Sequence, residues 1–218
     1  MKKILKYNGL SIVFLILFFA CLIGQIITGL HEHNEQLKEY GSAPLSFFSY
    51  LESGHFLQAT FENFESEFLQ MALYVVLTIF LYQKGSSESK DPDKEEPVDE
   101  EPDPTKKDAP WPVRKGGIYL WIYKKSLFIV LMILFLLSLF MHFKGSLLDY
   151  NTEQQLKHLP TLKPIEFIQE SRFWFESFQN WQSEFLSIFT IVILSIFLRQ
   201  HGSPQSKPIN EPDSKTGE

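Results

Sequence analysis

Residues 61–90 read FENFESEFLQMALYVVLTIFLYQKGSSESK, and residues 178–207 read FQNWQSEFLSIFTIVILSIFLRQHGSPQSK. A shift of 117 positions superimposes the two stretches without a gap, and sixteen of the thirty residues are identical. The same shift lays the apolar run Leu10–Ile23 on Leu127–Phe140. Because self-similarity at a fixed period identifies the repeating unit of a fold, the sequence predicts that one membrane hairpin occurs twice.

Four apolar runs alternate with polar segments along the chain. The first and third, Leu10–Leu30 and Ser126–Phe143, reach the roughly 20 residues that a helix needs to cross a bilayer. The second and fourth, Phe68–Gln83 and Phe185–Leu198, are shorter and span only if flanking residues enter the interface. Since these runs are apolar on every face rather than along one stripe, we expect an all-α membrane protein. It would have four transmembrane helices, arranged as two tandem parallel hairpins.

Repeat and composition together divide the chain into four parts. The first repeat is at 1–85 and contains spans at about 10–30 and 66–83. A linker at 86–115 joins it to the second repeat at 116–202, which contains spans at about 124–143 and 183–199. A tail at 203–218 follows. The linker is acidic and Pro-rich, and the tail resembles it in composition. Such segments bury too little apolar surface to offset chain entropy, so both are predicted to be disordered.

The basic residues predict the orientation in the membrane. Lys and Arg precede the first run, fill the linker and follow the fourth run, whereas acidic residues outnumber basic ones in the two intervening loops. Since segments rich in Lys and Arg stay cytoplasmic, both termini and the linker are expected inside. The two loops of about 35–40 residues then face outward.

The second half of each outer loop is rich in aromatic residues. In Pro44–Phe68 and in Thr161–Phe185, aromatic side chains recur at mixed spacings of three and four residues, which is a helical period. Aromatic rings favour the headgroup zone of a bilayer. We therefore expect an outward-facing interfacial amphipathic helix in each loop, running into the next span with only a bend.

Polar residues near the outer ends of the spans form a candidate intramembrane cluster. Its six members are Gln25, Asn63, Glu67, His142, Asn180 and Glu184. One hypothesis is a site that binds a cation or passes a proton, with His142 and Glu184 as the titrating pair. The other, which we favour, is hydrogen bonding between helices together with carboxylates that stabilise helix N-termini.

The sequence lacks the motifs that identify common catalytic and cofactor-binding sites. It contains no G-x-S-x-G, paired C-x-x-C, H-E-x-x-H or glycine-rich phosphate loop. His31-Glu32-His33 resembles a ligand trio, but the equivalent residues are Leu148-Asp149-Tyr150, so a solvated loop is predicted there rather than a metal site. The net charge of −6 argues against nucleic-acid binding. We expect no cofactor and no metal.

Three stretches resemble a bacterial family of small integral membrane proteins that is known as domain of unknown function 6766. They are YNGLSIVFLILFFACLIGQIITG (7–29), EHNEQLKEYG (32–41) and GHFLQATFENFESEFLQM (54–71). The resemblance covers nearly the whole chain apart from the linker and the tail. It implies a bacterial inner-membrane location and a duplicated two-span unit. It implies no substrate, cofactor or catalytic residue.

These observations favour a non-enzymatic role. We expect a structural or interaction component of the bacterial envelope, whose partners are the lipid bilayer and either further copies of itself or another membrane protein. The alternative is a small oligomeric transporter or channel that uses the Gln/His/Glu layer. Spans two and four carry few polar residues for an aqueous path, which disfavours that alternative.

Overall fold

The computed structural model describes residues 2–217, and all regular structure within them is helical. The four long helices are α1 (Lys2–Glu39), α3 (Gly54–Leu77), α6 (Ser126–Leu156) and α8 (Ser171–Phe197). The four short ones are α2 (Phe47–Leu51), α4 (Trp111–Lys115), α5 (Gly117–Lys124) and α7 (Pro164–Phe167), and a 3₁₀ turn lies at Pro97–Asp99. The all-α prediction is confirmed.

Within residues 2–217, three helices, rather than the four predicted, are long and apolar enough to cross a membrane. They are α1, α6 and α8. The exception is α3, which ends at Leu77 before the predicted end of the second span at Gln83. Any 18 consecutive residues within α3 include Glu62, Glu65 and Glu67, and three carboxylates make such a stretch costly in a bilayer.

Helix boundaries recur at the 117-residue offset. α1 ends at Glu39 and α6 ends at the matching Leu156. α2 starts at Phe47 and α7 at Pro164, and α3 starts at Gly54 and α8 at Ser171. Each predicted interfacial helix is split in two, since a short helix is followed by a break before the long one begins. Ser46 starts α2, and its side chain accepts a hydrogen bond from the Ser49 backbone N–H.

Two asparagines close the outer loops in the same way. The Asn34 side chain accepts a hydrogen bond from the Leu45 backbone N–H at 2.6 Å and donates to the Leu45 carbonyl oxygen at 3.1 Å. Asn151 holds Leu162 with the same pair of bonds, at 2.8 and 3.0 Å. Both asparagines sit at the 117-residue offset, so equivalent side chains fix equivalent loop ends.

The chain divides into two compact units. Unit 1 contains Met1–Phe61 and Phe140–Phe173, and unit 2 contains Glu62–Leu139 and Trp174–Glu218. In unit 1, the start of α3 crosses α6 with the two backbones in close contact. A Cβ added to Gly54 would lie 2.2 Å from the backbone nitrogen of Asp149, and one added to Gly145 would lie 2.4 Å from that of Gln58. Only glycine therefore fits at either side of this crossing.

Unit 2 contains two turns of the same conformation, Gln83–Lys90 and Gln200–Lys207. In each, the last serine accepts a hydrogen bond from the glutamine backbone N–H, at 2.9 and 2.8 Å. The first serine accepts one from the N–H two residues later, at 3.1 and 3.2 Å. The glycines, Gly85 and Gly202, have φ angles of 87° and 82°, a left-handed conformation that glycine adopts without strain.

The tail folds back onto the first of these turns. Lys207 is only 2% exposed, and its Nζ donates to the carbonyl oxygens of Gly85, Pro212, Asp213 and Lys215 at 2.6, 3.3, 3.1 and 3.2 Å. Thr216 Oγ1 accepts from the Gly85 N–H at 2.9 Å, and the Gly217 N–H donates to the Ser86 carbonyl at 3.0 Å. We call these contacts of residues 207–217 with Gly85 and Ser86 the tail clasp.

The disorder predicted for 86–115 and 203–218 stays a prediction, but the described residues of both segments make specific bonds. Like the tail, the linker carries specific bonds, such as the one from Lys90 Nζ to Asp99 Oδ1 at 2.6 Å. Composition indicated that these segments cannot form an apolar core. Their polar side chains instead satisfy the backbone groups of successive turns, a possibility that composition alone does not reveal.

Candidate functional site

A cavity of about 490 Å³ lies in unit 1. Its walls come from the end of α1, the start of α3, the last turns of α6 and the start of α8. The polar and charged side chains that matter below are His33, Glu39, His55, Asp149, Glu153 and Arg172. The volume is within the range of sites that bind small molecules.

Two equivalent charge pairs lie at this cavity. His55 Nε2 is 3.5 Å from Glu32 Oε2, and Arg172 donates to Asp149 Oδ2 at 2.5 Å. The 117-residue offset relates His55 to Arg172 and Glu32 to Asp149. One pair therefore carries a histidine where the other carries a permanently charged arginine.

His33 is the most enclosed polar side chain of the cavity wall. It is 6% exposed, and its ring stacks on His55 with 4.7 Å between ring centroids and 28° between planes. Its Nδ1 has no hydrogen-bond partner within residues 2–217. The sequence predicted a solvated loop at His31-Glu32-His33, which is wrong because α1 continues as a helix to Glu39. A buried nitrogen without a partner is unusual in a folded protein.

Tyr50 supports this histidine pair from α2. The residue is 1% exposed, and its hydroxyl lies 3.2 Å from His55 Nδ1. Burial, together with the charges of Glu32 and Asp149, raises the pKa of Tyr50 to about 12. The phenol therefore stays protonated, and its hydroxyl donates to Nδ1 or accepts from it according to the tautomer of the ring. The other ring nitrogen, Nε2, faces the Glu32 carboxylate.

Arg172 organises the opposite wall. Besides Asp149, its guanidinium donates to Glu153 Oε2 at 3.0 Å and to Gln58 Oε1 at 3.2 Å. Lys157 also donates to Glu153, through Oε1. A fork of donors held by two carboxylates is rigid, so this side of the cavity is preorganised.

The six residues predicted from the sequence fall into both units. Gln25 and His142 belong to unit 1, where Gln25 Nε2 donates to Thr60 Oγ1 at 3.2 Å. His142 is fully buried, with its ring centroid 5.0 Å from that of Phe173. The other four belong to unit 2. That the six form one cluster stays a prediction.

Within unit 2, the predicted carboxylates are not the enclosed ones. Asn63 and Glu67 are exposed, and Glu184 is half-buried. Glu65, which the sequence analysis did not select, is fully buried and accepts a hydrogen bond from Trp181 Nε1 at 2.8 Å. Gln70 Nε2 reaches α8 as well, donating to the Glu184 carbonyl at 3.1 Å and to Ser187 Oγ at 2.8 Å.

The cavity itself was also missed. One signal was present in the sequence: the 117-residue offset places Asp149 on Glu32 and Arg172 on His55. The pairing of His33 with His55 carried no comparable signal, because a contact between helices does not follow from spacing along one helix.

One comparison with known proteins identifies a family for this chain. A family model described as a domain of unknown function (DUF6766) matches residues 1–218. No curated protein and no solved structure matches the chain.

Proposed function

The chain belongs to the family described as a domain of unknown function (DUF6766), and we propose that it is a non-enzymatic interaction component of a bacterial inner membrane. Its recognition site is the unit 1 cavity, and what it recognises there is a small polar molecule. The three apolar helices α1, α6 and α8 anchor this site in the bilayer.

One observation carries the proposal, namely the cavity of about 490 Å³ with a preorganised polar wall. Binding sites are concave, largely preformed and furnished with a few placed polar groups. The bonds of Arg172 to Asp149, Glu153 and Gln58 hold such groups in place. The partnerless Nδ1 of His33 adds an unused hydrogen-bonding atom to the same wall.

Binding without catalysis fits these side chains better than turnover does. General acid–base chemistry needs a group that is free to exchange a proton with the substrate. Asp149 and Glu153 are each held by Arg172, and His55 lies between Tyr50 and Glu32. This leaves His33 and Glu39, and no hydrogen bond among the described residues joins these two into a catalytic pair. A transport role for the polar layer is less favoured, since the bond of Gln25 to Thr60 serves to join two helices.

We also propose that the chain arose by duplication of one two-helix unit. The recurring helix boundaries, the paired asparagine bonds and the two identical turns support it. The flanking basic residues support a cytoplasmic location for both ends and the linker. This orientation requires α3 to return the chain alongside α8, and the bond from Trp181 to the buried Glu65 would shield one of its carboxylates there.

The orientation predicts which cysteines a membrane-impermeant maleimide reaches. Cys21 is the only cysteine, so Cys21→Ser gives a background without thiols. In that background, Ala43→Cys in the first outer loop should be labelled in intact spheroplasts, and Asp108→Cys in the linker only after permeabilisation. The reverse pattern, or labelling of both sites from outside, would refute the proposed orientation.

The binding function predicts that filling the cavity abolishes ligand effects. Thr152 lines the cavity and is exposed, so Thr152→Trp should occupy the space without disturbing the buried residues of unit 1. The measurement is thermal unfolding of the purified full chain in detergent, with a library of small cations, anions and neutral polar compounds. We expect at least one compound to raise the melting temperature of the wild type but not that of Thr152→Trp.

The matched control is Gln155→Trp, since Gln155 is exposed on the same helix and does not line the cavity. It should respond to the same compounds as the wild type. If every stabilising compound acts equally on both tryptophan variants, the cavity is not the recognition site and the proposed function fails.

A further inference from the structure

We infer that the ligand of the unit 1 cavity is an organic cation that carries N–H donors, such as a diamine. This inference rests on the proposed function and specifies its ligand class. It follows from which hydrogen-bonding groups of the cavity are already engaged and which are still available.

The donors of the cavity wall are mostly engaged by the protein itself. Arg172 donates to Asp149, Glu153 and Gln58. Thr152 Oγ1 donates to the Leu148 carbonyl at 2.9 Å, and Gln36 Nε2 donates to Glu32 Oε1 at 2.7 Å. A ligand that needs donors, such as a carboxylate or a phosphate, would therefore compete with internal bonds.

The hydrogen-bonding groups of the cavity wall that are still available are mainly acceptors. The Glu39 carboxylate makes no ion pair with any residue between 2 and 217, and each carboxylate of the opposite wall has more lone pairs than the bonds described occupy. His33 adds a buried ring nitrogen, Nδ1, that has no hydrogen-bond partner among residues 3–217. Burial and the neighbouring His55 lower the pKa of His33, which favours the neutral ring.

Charge and shape point in the same direction. The lining side chains contribute three carboxylates, from Glu39, Asp149 and Glu153, against one guanidinium. Tyr40 also lines the cavity and is 47% exposed. A cation is attracted to the quadrupole of such an aromatic ring. An ammonium group thus meets both charge and aromatic complementarity.

A metal ion fits this cavity less well than an organic cation does. Lone pairs of imidazole nitrogens lie in the plane of the ring. Because His33 and His55 stack face to face at 4.7 Å, their lone pairs do not converge on one point. Tight coordination of a divalent ion needs such convergence.

Three four-carbon probes isolate the effect of charge: putrescine, 1,4-butanediol and succinate. Their binding to the full chain in detergent is measured by isothermal titration calorimetry at low salt. We expect putrescine to bind about tenfold more tightly than butanediol, succinate to show no saturable binding, and added salt to weaken the putrescine interaction. Glu39→Gln should weaken putrescine binding by about fivefold, because it removes a partly screened charge.

The control is Glu35→Gln, since Glu35 pairs with Lys38 on the same helix and does not line the cavity. It should bind putrescine as the wild type does. Binding of succinate or butanediol as tight as that of putrescine would overturn the cation inference. The proposed function would still stand if Thr152→Trp abolished that binding. Both the proposed function and the inference would fail if every probe and library compound bound Thr152→Trp and Gln155→Trp equally.

Discussion

Gly145→Ala should lower the free energy of unfolding by about 1–3 kcal/mol, the usual cost of forcing an extra carbon into a filled site. A Cβ at this position would lie 2.4 Å from the Gln58 nitrogen and 2.8 Å from the Leu57 carbonyl carbon. Both atoms belong to the backbone of α3 and cannot move aside as a side chain does. The melting temperature of the purified protein in detergent measures the effect.

Gly54→Ala should have a comparable effect, because its Cβ would meet the backbone of Leu148 and Asp149 at 2.2–2.8 Å. The control is Gly24→Ala in α1, where no atom lies within 4 Å of the added carbon. Alanine is favoured over glycine in a helix by roughly 0.5–1 kcal/mol, so this variant should be unchanged or slightly more stable. Equal melting temperatures for all three variants would contradict the close crossing of α3 and α6.

Lys207→Met should release the tail clasp. Methionine keeps much of the side-chain volume but donates no hydrogen bond, so four carbonyl oxygens lose the ammonium that they share. A buried acceptor left without a partner costs about 1–3 kcal/mol. We therefore expect the amides of Gly85 and Gly217 to exchange with solvent at least about tenfold faster, as hydrogen exchange would detect.

Lys90→Met provides the matched control, because Lys90 occupies the equivalent position in the first turn. Its ammonium bonds the Asp99 carboxylate and none of the clasp carbonyls. Exchange at Gly217 should be unaffected in this variant. If Lys207→Met leaves Gly85 and Gly217 as protected as in the wild type, Lys207 does not hold the tail.

The sequence predicted well those features that depend on local pattern. Four apolar runs and their 117-residue offset indicated helices, and α1, α6 and α8 contain three of the runs. The length of the second membrane span was overestimated. The apolar residues Thr78–Tyr82 were included in it, although α3 ends before them at Leu77. The cap at Ser46 was recoverable because capping depends on neighbours in sequence.

Features that depend on contacts between distant residues were not predicted. Glu67 was predicted because it recurs as Glu184. The buried carboxylate is Glu65 instead, and its partner Trp181 lies far away in the chain. The cavity of unit 1 needs His33 and His55 on different helices to meet. The sequence pattern of one helix does not show which residues of another helix it contacts. The bonds of Lys207 to the turn at Gly85 are likewise contacts that composition does not reveal.

The tail clasp also has a consequence for the order of events during synthesis. Lys207 and Gly85 are 122 residues apart. At a translation rate of about 5–20 residues per second, Gly85 leaves the ribosome roughly 6–24 s before Lys207 does. The Gln83–Lys90 turn closes through its own serines and can form at once, whereas its carbonyl groups must stay hydrated until the later residues arrive. Closure of the clasp is therefore a late step in biogenesis, and it occurs only on chains whose second half has already been translated.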